Sequence, residues 1–202
     1  MKPKGRREEQ KEKRRNDIVA MAIEVFAEKG FHKTDVQVIA DKLNIGKGTV
    51  YRYFPSKNEL FFGCVEFGVL QIAQQLEQAF ASHADPVEGI SAGIFAYLSF
   101  FQQNPDLVEI FIQERAVFKE KKLQEYALEH NDQQQYIEGL ELLQKQGVIR
   151  NDIPARSVLE FADTIVPGTM YQNHFRKDSI DIQTQVDQIM TIFLHGILSP
   201  ED

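Results

Sequence analysis

Residues Thr34 to Glu59, TDVQVIADKLNIGKGTVYRYFPSKNE, constrain the fold more than any other stretch, because two short amphipathic helices and the tight turn between them are written into it. Val36, Ile39, Ala40 and Leu43 recur at i, i+3, i+4 and i+7, one apolar stripe on a short helix. Thr34 stands before that stripe with Gln37 three residues on, the pattern of a capping box in which the hydroxyl accepts the Gln37 amide and the Gln37 side chain reaches back. Asn44 follows, one of the few residues besides glycine that tolerates the left-handed conformation a tight turn demands, then Ile45 as an apolar plug and Gly46. A second short helix is predicted from about Lys47.

On that second helix Val50, Tyr53 and Phe54 fall on one side at 100° per residue, and Gly48 and Arg52 point the other way, flanked by Thr49 and Tyr51. The outward set has the chemistry of a nucleic-acid contact. Gly48 lets a backbone approach a phosphate closely, Thr49 can meet a base edge or a thymine methyl, and Arg52 can engage a guanine edge or a phosphate. Tyr51 offers a hydroxyl. Pro55 stops the helix, and Ser56 with Glu59 forms another capping box that opens a third, with Lys57 in its first turn. A cation gains nothing from the dipole at a helix start, so Lys57 is expected to face a phosphate. With Thr34, Gln37, Lys47 and Tyr53 these residues make up the expected DNA-contacting set.

The run from Arg14 to Phe61 resembles the DNA-binding domain of the TetR family of bacterial transcriptional regulators. The likeness rests on an amphipathic first helix, the junction Phe26-Ala27-Glu28-Lys29-Gly30-Phe31 with Thr34, the pair Ile39-Ala40, Lys47-Gly48-Thr49-Val50-Tyr51-Arg52-Tyr53-Phe54, and Ser56-Lys57 with Leu60-Phe61. It covers about a quarter of the chain. Asn44 stands where the family usually has glycine, and Gly46 where a serine commonly caps the recognition helix. The resemblance implies a dimer whose last two long helices pair into a four-helix interface, a small-molecule effector pocket in the second domain, and repression as the usual sign of regulation.

Charge is divided along the chain in the same sense. Residues 1–57 hold 14 Lys and Arg against 8 Asp and Glu, net +6; residues 58–202 hold 9 against 22, net −13. One end is built to meet phosphate, and the acidic remainder reads as a solvated surface. The single cysteine, Cys64, excludes an internal disulfide framework, sits on an apolar helix side as a core residue, and fits a reducing cytoplasm. No run approaches the ~18 apolar residues of a membrane span, and no apolar segment follows the charged N-terminus, so neither anchor nor export signal is expected.

In chain order, Met1 to Arg15 is nearly all polar, with eight Lys and Arg, and is expected as a flexible basic arm that either lies along DNA or is simply a soluble tail. A helix is predicted over Asn16–Lys29, with Ile18, Met21, Ala22, Val25 and Phe26 as its buried stripe and Gly30 as its end. Its core partners are Phe31, Ile39, Leu43, Ile45, Val50 and Phe54. A long helix over about Lys57–Ser82 carries two apolar stripes, so its early turns are expected on the DNA-binding core and its later turns on a second body. Asp85-Pro86-Val87-Glu88 opens a helix to Phe101, and Asn104-Pro105-Asp106 repeats the device to about Phe118. Further helices are predicted at Lys119–Gln146 ended by Gly147, Pro154–Arg176 interrupted at Pro167, and Ile182–Leu198; no sheet is expected. The apolar stripe of the last helix either covers a monomer's core or joins two subunits.

Twelve of the 15 phenylalanines lie after residue 60. Phe67, Tyr97, Phe101, Phe111, Glu114, Met170 and His174 are the candidate lining of the effector pocket, and their aromatic character favours an apolar or amphipathic compound. Glu114 shares a helix face with Leu107, Phe111 and Phe118; its carboxylate meets a ligand cation, Arg115 of a neighbouring subunit, or water. The five histidines have no i, i+4 partners, no CxxC occurs and no glycine-rich phosphate loop follows a strand, so no metal, cofactor or catalytic site is expected. The expectation is therefore an all-α chain: a basic arm (1–15), a three-helix DNA-binding domain with a helix-turn-helix (16–57), and a helical effector-binding and dimerisation domain (58–202). Its function is expected to be that of a cytoplasmic homodimeric regulator, a repressor released from a palindromic operator by the effector. The alternative is a DNA-binding regulator with no effector, controlled by a protein partner or by its abundance.

Overall fold

The computed structural model describes residues 5–118, 132–176, 178 and 181–197, with side chains at all of these except 132, 133, 135 and 194–197. The described residues form helices α1 (Arg6–Lys29), α2 (Val36–Lys42), α3 (Lys47–Tyr53), α4 (Lys57–Ala81), α5 (Pro86–Gln103), α6 (Pro105–Val117), α7 (Asp132–Lys145), α8 (Ala155–Phe175) and α9 (Ile182–Ile197), with no strand among them. None of these helices is long and apolar enough to cross a membrane.

Most predicted boundaries fall within two residues of the observed ones, and the departures have local causes. α1 begins at Arg6, ten residues before the predicted start, so Arg6–Arg15 is helical instead of a flexible arm; Met1–Lys4 lie outside the described residues. Glu, Gln, Lys and Arg are good helix formers, Glu8 and Glu9 occupy the first turn, and growth from an already packed helix needs no new nucleus. Asn104 does not repeat the Asp85 device. Asp85 Oδ1 accepts the Val87 and Glu88 amides at 2.7 and 3.3 Å, whereas the Asn104 side chain donates backwards to the Phe100 carbonyl at 2.7 Å, closing α5. Pro167 lies inside α8, which continues through it to Phe175. Of the helix predicted over Lys119–Gln146, residues 119–131 lie outside the described set, as does Leu198; α7 ends as predicted at Gly147, whose φ is 74°.

Backbone contacts divide the chain into two compact units, Met1–Gln71 with Pro105–Glu120, and Ile72–Asn104 with Lys121–Asp202. The first unit holds α1, α2, α3, the first part of α4, and α6. Its core joins buried aliphatic residues, Ile18, Val19, Ala22, Ile39, Val50 and Val65 among them, to an aromatic cluster. There Phe26, Phe31, Phe61, Phe62 and Phe118 pack ring on ring at 4.6 to 6.4 Å, with Phe26 edge-on to Phe61 at 5.2 Å. Pairs of this kind are worth about 0.5–1.5 kcal/mol each beyond the area they bury. α6 packs against α1, and its Phe111 and Leu107 meet α4 at Gly68, where an added Cβ would lie 2.9 Å from Phe111 Cζ. Cys64 is buried as expected, its thiol within 3.3 Å of the Leu60 carbonyl.

The second unit packs α5 against α8 and α9, and α7 against α8. Leu143, Ile149 and Val158 form one cluster with Leu140, Val148, Ile153 and Phe193 around it. The Gln144 amide donates to the Arg150 and Ile153 carbonyls at 2.9 and 2.7 Å and so holds the turn between α7 and α8. α8 and α9 are also tied by a reciprocal amide pair, Asn173 with Gln185, at 2.7 and 3.1 Å.

Candidate nucleic-acid interface

The helix-turn-helix is closed by Asp35. Its carboxylate, not the Thr34 hydroxyl, accepts the Gln37 amide at 2.9 Å and caps α2. The same oxygen receives Lys47 Nζ at 2.7 Å, linking the start of α2 to the first residue of α3. The Gln37 amide first, and Lys47 second, hold the Asp35 carboxyl below the ordinary carboxylate range; the same hydrogen bond raises the Lys47 ammonium. Between the helices Asn44 takes φ 53°, the left-handed conformation expected of it, and the Ile45 amide returns to the Ala40 carbonyl at 3.0 Å. Gly46 precedes α3 and supplies no side-chain cap.

α3 buries Val50 and leaves a face open. Gly48, Tyr51 and Arg52 are exposed and Thr49 is half-exposed; a Cβ built on Gly48 meets nothing within 4 Å. Arg52 Nη2 lies 3.4 Å from Thr49 Oγ1, so the guanidinium and the hydroxyl sit side by side on this face. Gln37 is exposed on α2, its amide donating to Asp41 at 2.7 Å. Tyr53 is half-buried at the inner edge.

Two members of the expected set are turned elsewhere. Thr34 is 4% exposed, and its hydroxyl donates to the Gly30 carbonyl at 2.8 Å, so its side chain belongs to the α1–α2 corner and offers nothing to a groove. Its place before the apolar run imitates a cap, but Asp35 is one residue nearer and fills that role. Lys57 donates to the His32 and Thr34 carbonyls at 3.2 and 2.9 Å and lies 4.7 Å from the centroid of the Phe31 ring. The cation expected to face a phosphate holds the loop before α2.

Three side chains that brace this domain, Arg15, Glu66 and Gln113, escaped the pattern reading because their partners are distant in sequence. Phe54, directly after α3, is wedged between α1 and α4. The Arg15 guanidinium lies over its ring at 5.0 Å and bridges Glu66 at 3.0 Å, and a Cβ on Gly63 would come within 2.6 Å of Phe54 Cε1. From α6 the Gln113 side chain accepts the Phe31 amide at 2.8 Å and donates to the Phe26 carbonyl at 2.9 Å, pinning the corner that ends α1. A glycine in mid-helix at 63 was the one visible signal.

The expected pocket residues are divided. Phe67, Phe111 and Glu114 belong to the first unit; Tyr97, Phe101, Met170 and His174 belong to the second. Phe101, Phe111 and Met170 are buried, and Phe67, Tyr97 and His174 are half-buried. Glu114 is 3% exposed, and that burial raises its carboxyl above the usual range against the pull of neighbouring Arg115. Among the described residues no group of three or more His, Cys, Asp or Glu is placed to hold a metal ion.

A short capped helix, a left-handed turn and a second helix with one open polar face define a helix-turn-helix DNA-binding module. Residues 18–64 match the family described as bacterial regulatory proteins, tetR family. Over 94 residues the chain is 27% identical to the HTH-type transcriptional activator FasR of Mycolicibacterium smegmatis, a match covering 46% of this chain and 43% of that protein. A TetR-family transcriptional regulator from Pectobacterium atrosepticum has the same fold, with TM-score 0.71 and 20% identity over 98% of this chain and 100% of that one. The fatty acid degradation regulator FadR of Bacillus halodurans superposes with TM-score 0.73 at 17% identity, over 90% and 98%. Residues 18–64 thus carry a DNA-binding domain of the tetR-family type, on a chain whose fold is shared with TetR-family transcriptional regulators.

Proposed function

We propose that the protein is a cytoplasmic, homodimeric transcriptional repressor that occupies a palindromic operator through α3 and is released by a small apolar or amphipathic effector. The open face of Gly48, Thr49, Tyr51 and Arg52, with the helix beneath it fixed by Asp35–Lys47 and by Phe54, is the observation that carries this reading. A side chain free to meet a base edge, on a helix that cannot turn, contributes about 1–3 kcal/mol of discrimination per bidentate contact.

Dimerisation through α8 and α9 is supported by their exposed apolar residues. Phe161, Phe175 and Ile192 are 67%, 69% and 75% exposed, and Phe161 and Phe175, 14 residues apart, lie on one face of α8 about 21 Å apart. A two-fold pair then sets two α3 helices on successive half-sites. The effector is assigned to the helical second unit, with Tyr97, Phe101, Met170 and His174 as its lining, coupled to operator binding by about 1–3 kcal/mol.

The test is selection of sites from random DNA by the purified chain, followed by anisotropy on the selected duplex. A two-fold symmetric site, and a loss of about tenfold or more for Arg52→Ala, are the expected results. Selection of no sequence, or an unchanged affinity in Arg52→Ala, removes the α3 assignment. In vitro transcription from a promoter overlapping the site settles the sign: rising output on adding the protein would make it an activator.

A further inference from the structure

α1 is longer than the domain it belongs to. Residues Arg6 to Arg14 are all exposed, and burial begins only with Arg15 and Ile18. Nine residues, about 13 Å of helix at 1.5 Å per residue, therefore extend beyond the core of the first unit. They contain no apolar residue, so they have nothing to bury.

Their charges are sorted by face. At 100° per residue, Lys13, Arg6, Gln10, Arg14, Arg7, Lys11 and Arg15 follow one another around about 200° of arc, and Glu8, Glu12 and Glu9 take the remainder. Of the acid–base pairs four residues apart that support a helix by themselves, this stretch has one, Glu9 with Lys13. Here Arg7, Lys11 and Arg15 place three cations in one i, i+4, i+8 row, and Glu8 and Glu12 place two acids in another. The three-cation row repels itself, and an external polyanion along the basic face relieves that repulsion.

The row also has a direction. Arg15, its inner member, is the residue that covers Phe54 immediately after α3. Lys11 and Arg7 continue from there, about 6 and 12 Å further along the helix. The basic face therefore starts at the C-terminal end of the helix assigned to the major groove and leads away from it.

We propose that this face, with Arg7, Lys11 and Arg14 foremost, binds the phosphates of the DNA that flanks each half-site, as a straight strut along the backbone. The inference rests on the reading of α3 as the groove-binding helix. A helix 10–12 Å across does not enter a minor groove about 6 Å wide, so the contact is with backbone, and the extension lengthens the footprint without adding base specificity.

The experiment compares wild type with Arg7→Gln/Lys11→Gln, which keeps good helix formers at both positions, on two duplexes over a salt series. One duplex ends at the outermost selected base pair; the other adds ten base pairs of arbitrary sequence at each end. On the long duplex the variant is expected to lose about 1.8 from the slope of log affinity against log salt, and about 30-fold in affinity at 0.15 M salt if counterion release is the whole of each contact. On the short duplex the two proteins are expected to bind alike. Equal slopes on the long duplex, or equal losses on both, overturn the strut and leave the α3 assignment standing. Wild type that selects no DNA removes both. Binding to phosphatidylglycerol vesicles that the double variant loses, with DNA binding unchanged, assigns the face to a membrane instead and also overturns the proposal.

Discussion

Replacing Gln113 by methionine keeps the length of the side chain and most of its volume, and deletes both hydrogen bonds that α6 makes to the end of α1. The two losses are unequal. The Phe26 carbonyl keeps the Gly30 amide at 2.9 Å, so it forfeits one of two donors and about 0.5–1.5 kcal/mol. The Phe31 amide loses the acceptor at 2.8 Å, and an orphaned donor costs about 1–3 kcal/mol, toward the lower end here because Gln113 is only half-buried and water can reach part of the site. The expected total is about 2 kcal/mol, with no cavity term. Urea unfolding at fixed temperature measures the loss, and hydrogen exchange at the Phe31 amide locates it, with faster exchange there than at amides of the second unit. A loss below about 0.5 kcal/mol with unchanged exchange at Phe31 would refute the pinning of α1 by α6.

Lys57→Met removes a cation from two carbonyls and an aromatic face, and is expected to destabilise the first unit by about 1 kcal/mol while leaving the salt dependence of DNA binding intact; a slope shallower by about 0.9 would return Lys57 to the phosphate contacts. Gly63→Ala gains about 1 kcal/mol of helix propensity but drives a methyl into the Phe54 ring, at an overpacking cost of about 1–3 kcal/mol, so a net loss on chemical denaturation and weaker DNA binding are expected. For Glu114 burial raises the folded-state carboxyl above its unfolded value, so between the two values the folded chain holds the extra proton and stability falls as pH rises. Glu114→Gln is therefore expected to be the more stable protein at pH 7, its advantage shrinking toward pH 4; a stability difference that does not vary with pH would contradict this.

The helix-turn-helix was legible because its information is local. A stripe of four apolar residues, an asparagine able to take positive φ and a proline stop are features of neighbouring positions, and the open side of α3 is what remains once Val50 and Phe54 are set inward. Where two neighbours compete for one role, pattern alone was insufficient. Thr34 and Asp35 both suit a cap, and the choice was made by the Gly30 carbonyl, which gives the threonine hydroxyl a buried acceptor. Asn104 was misread for the same reason, since its amide serves the helix behind it as readily as the one ahead. Lys57 had a sound local argument and a non-local answer, and the partners of Gln113 lie 82 and 87 residues away, a distance no periodicity spans. The polar start of α1 lacked the apolar stripe by which helices were recognised, although its residue types favour helix.

The placement of α6 with the helix-turn-helix means that the first compact unit is not a continuous piece of chain. A fragment stopping at residue 57, or even at residue 71, would hold every side chain of α3 proposed to face DNA and still lack Phe111, Gln113 and Phe118. On the ribosome the same gap becomes an interval of time: the opening helices emerge with Phe26, Phe31 and Phe61 uncovered, and stay so until residue 118 has been made and has cleared the exit.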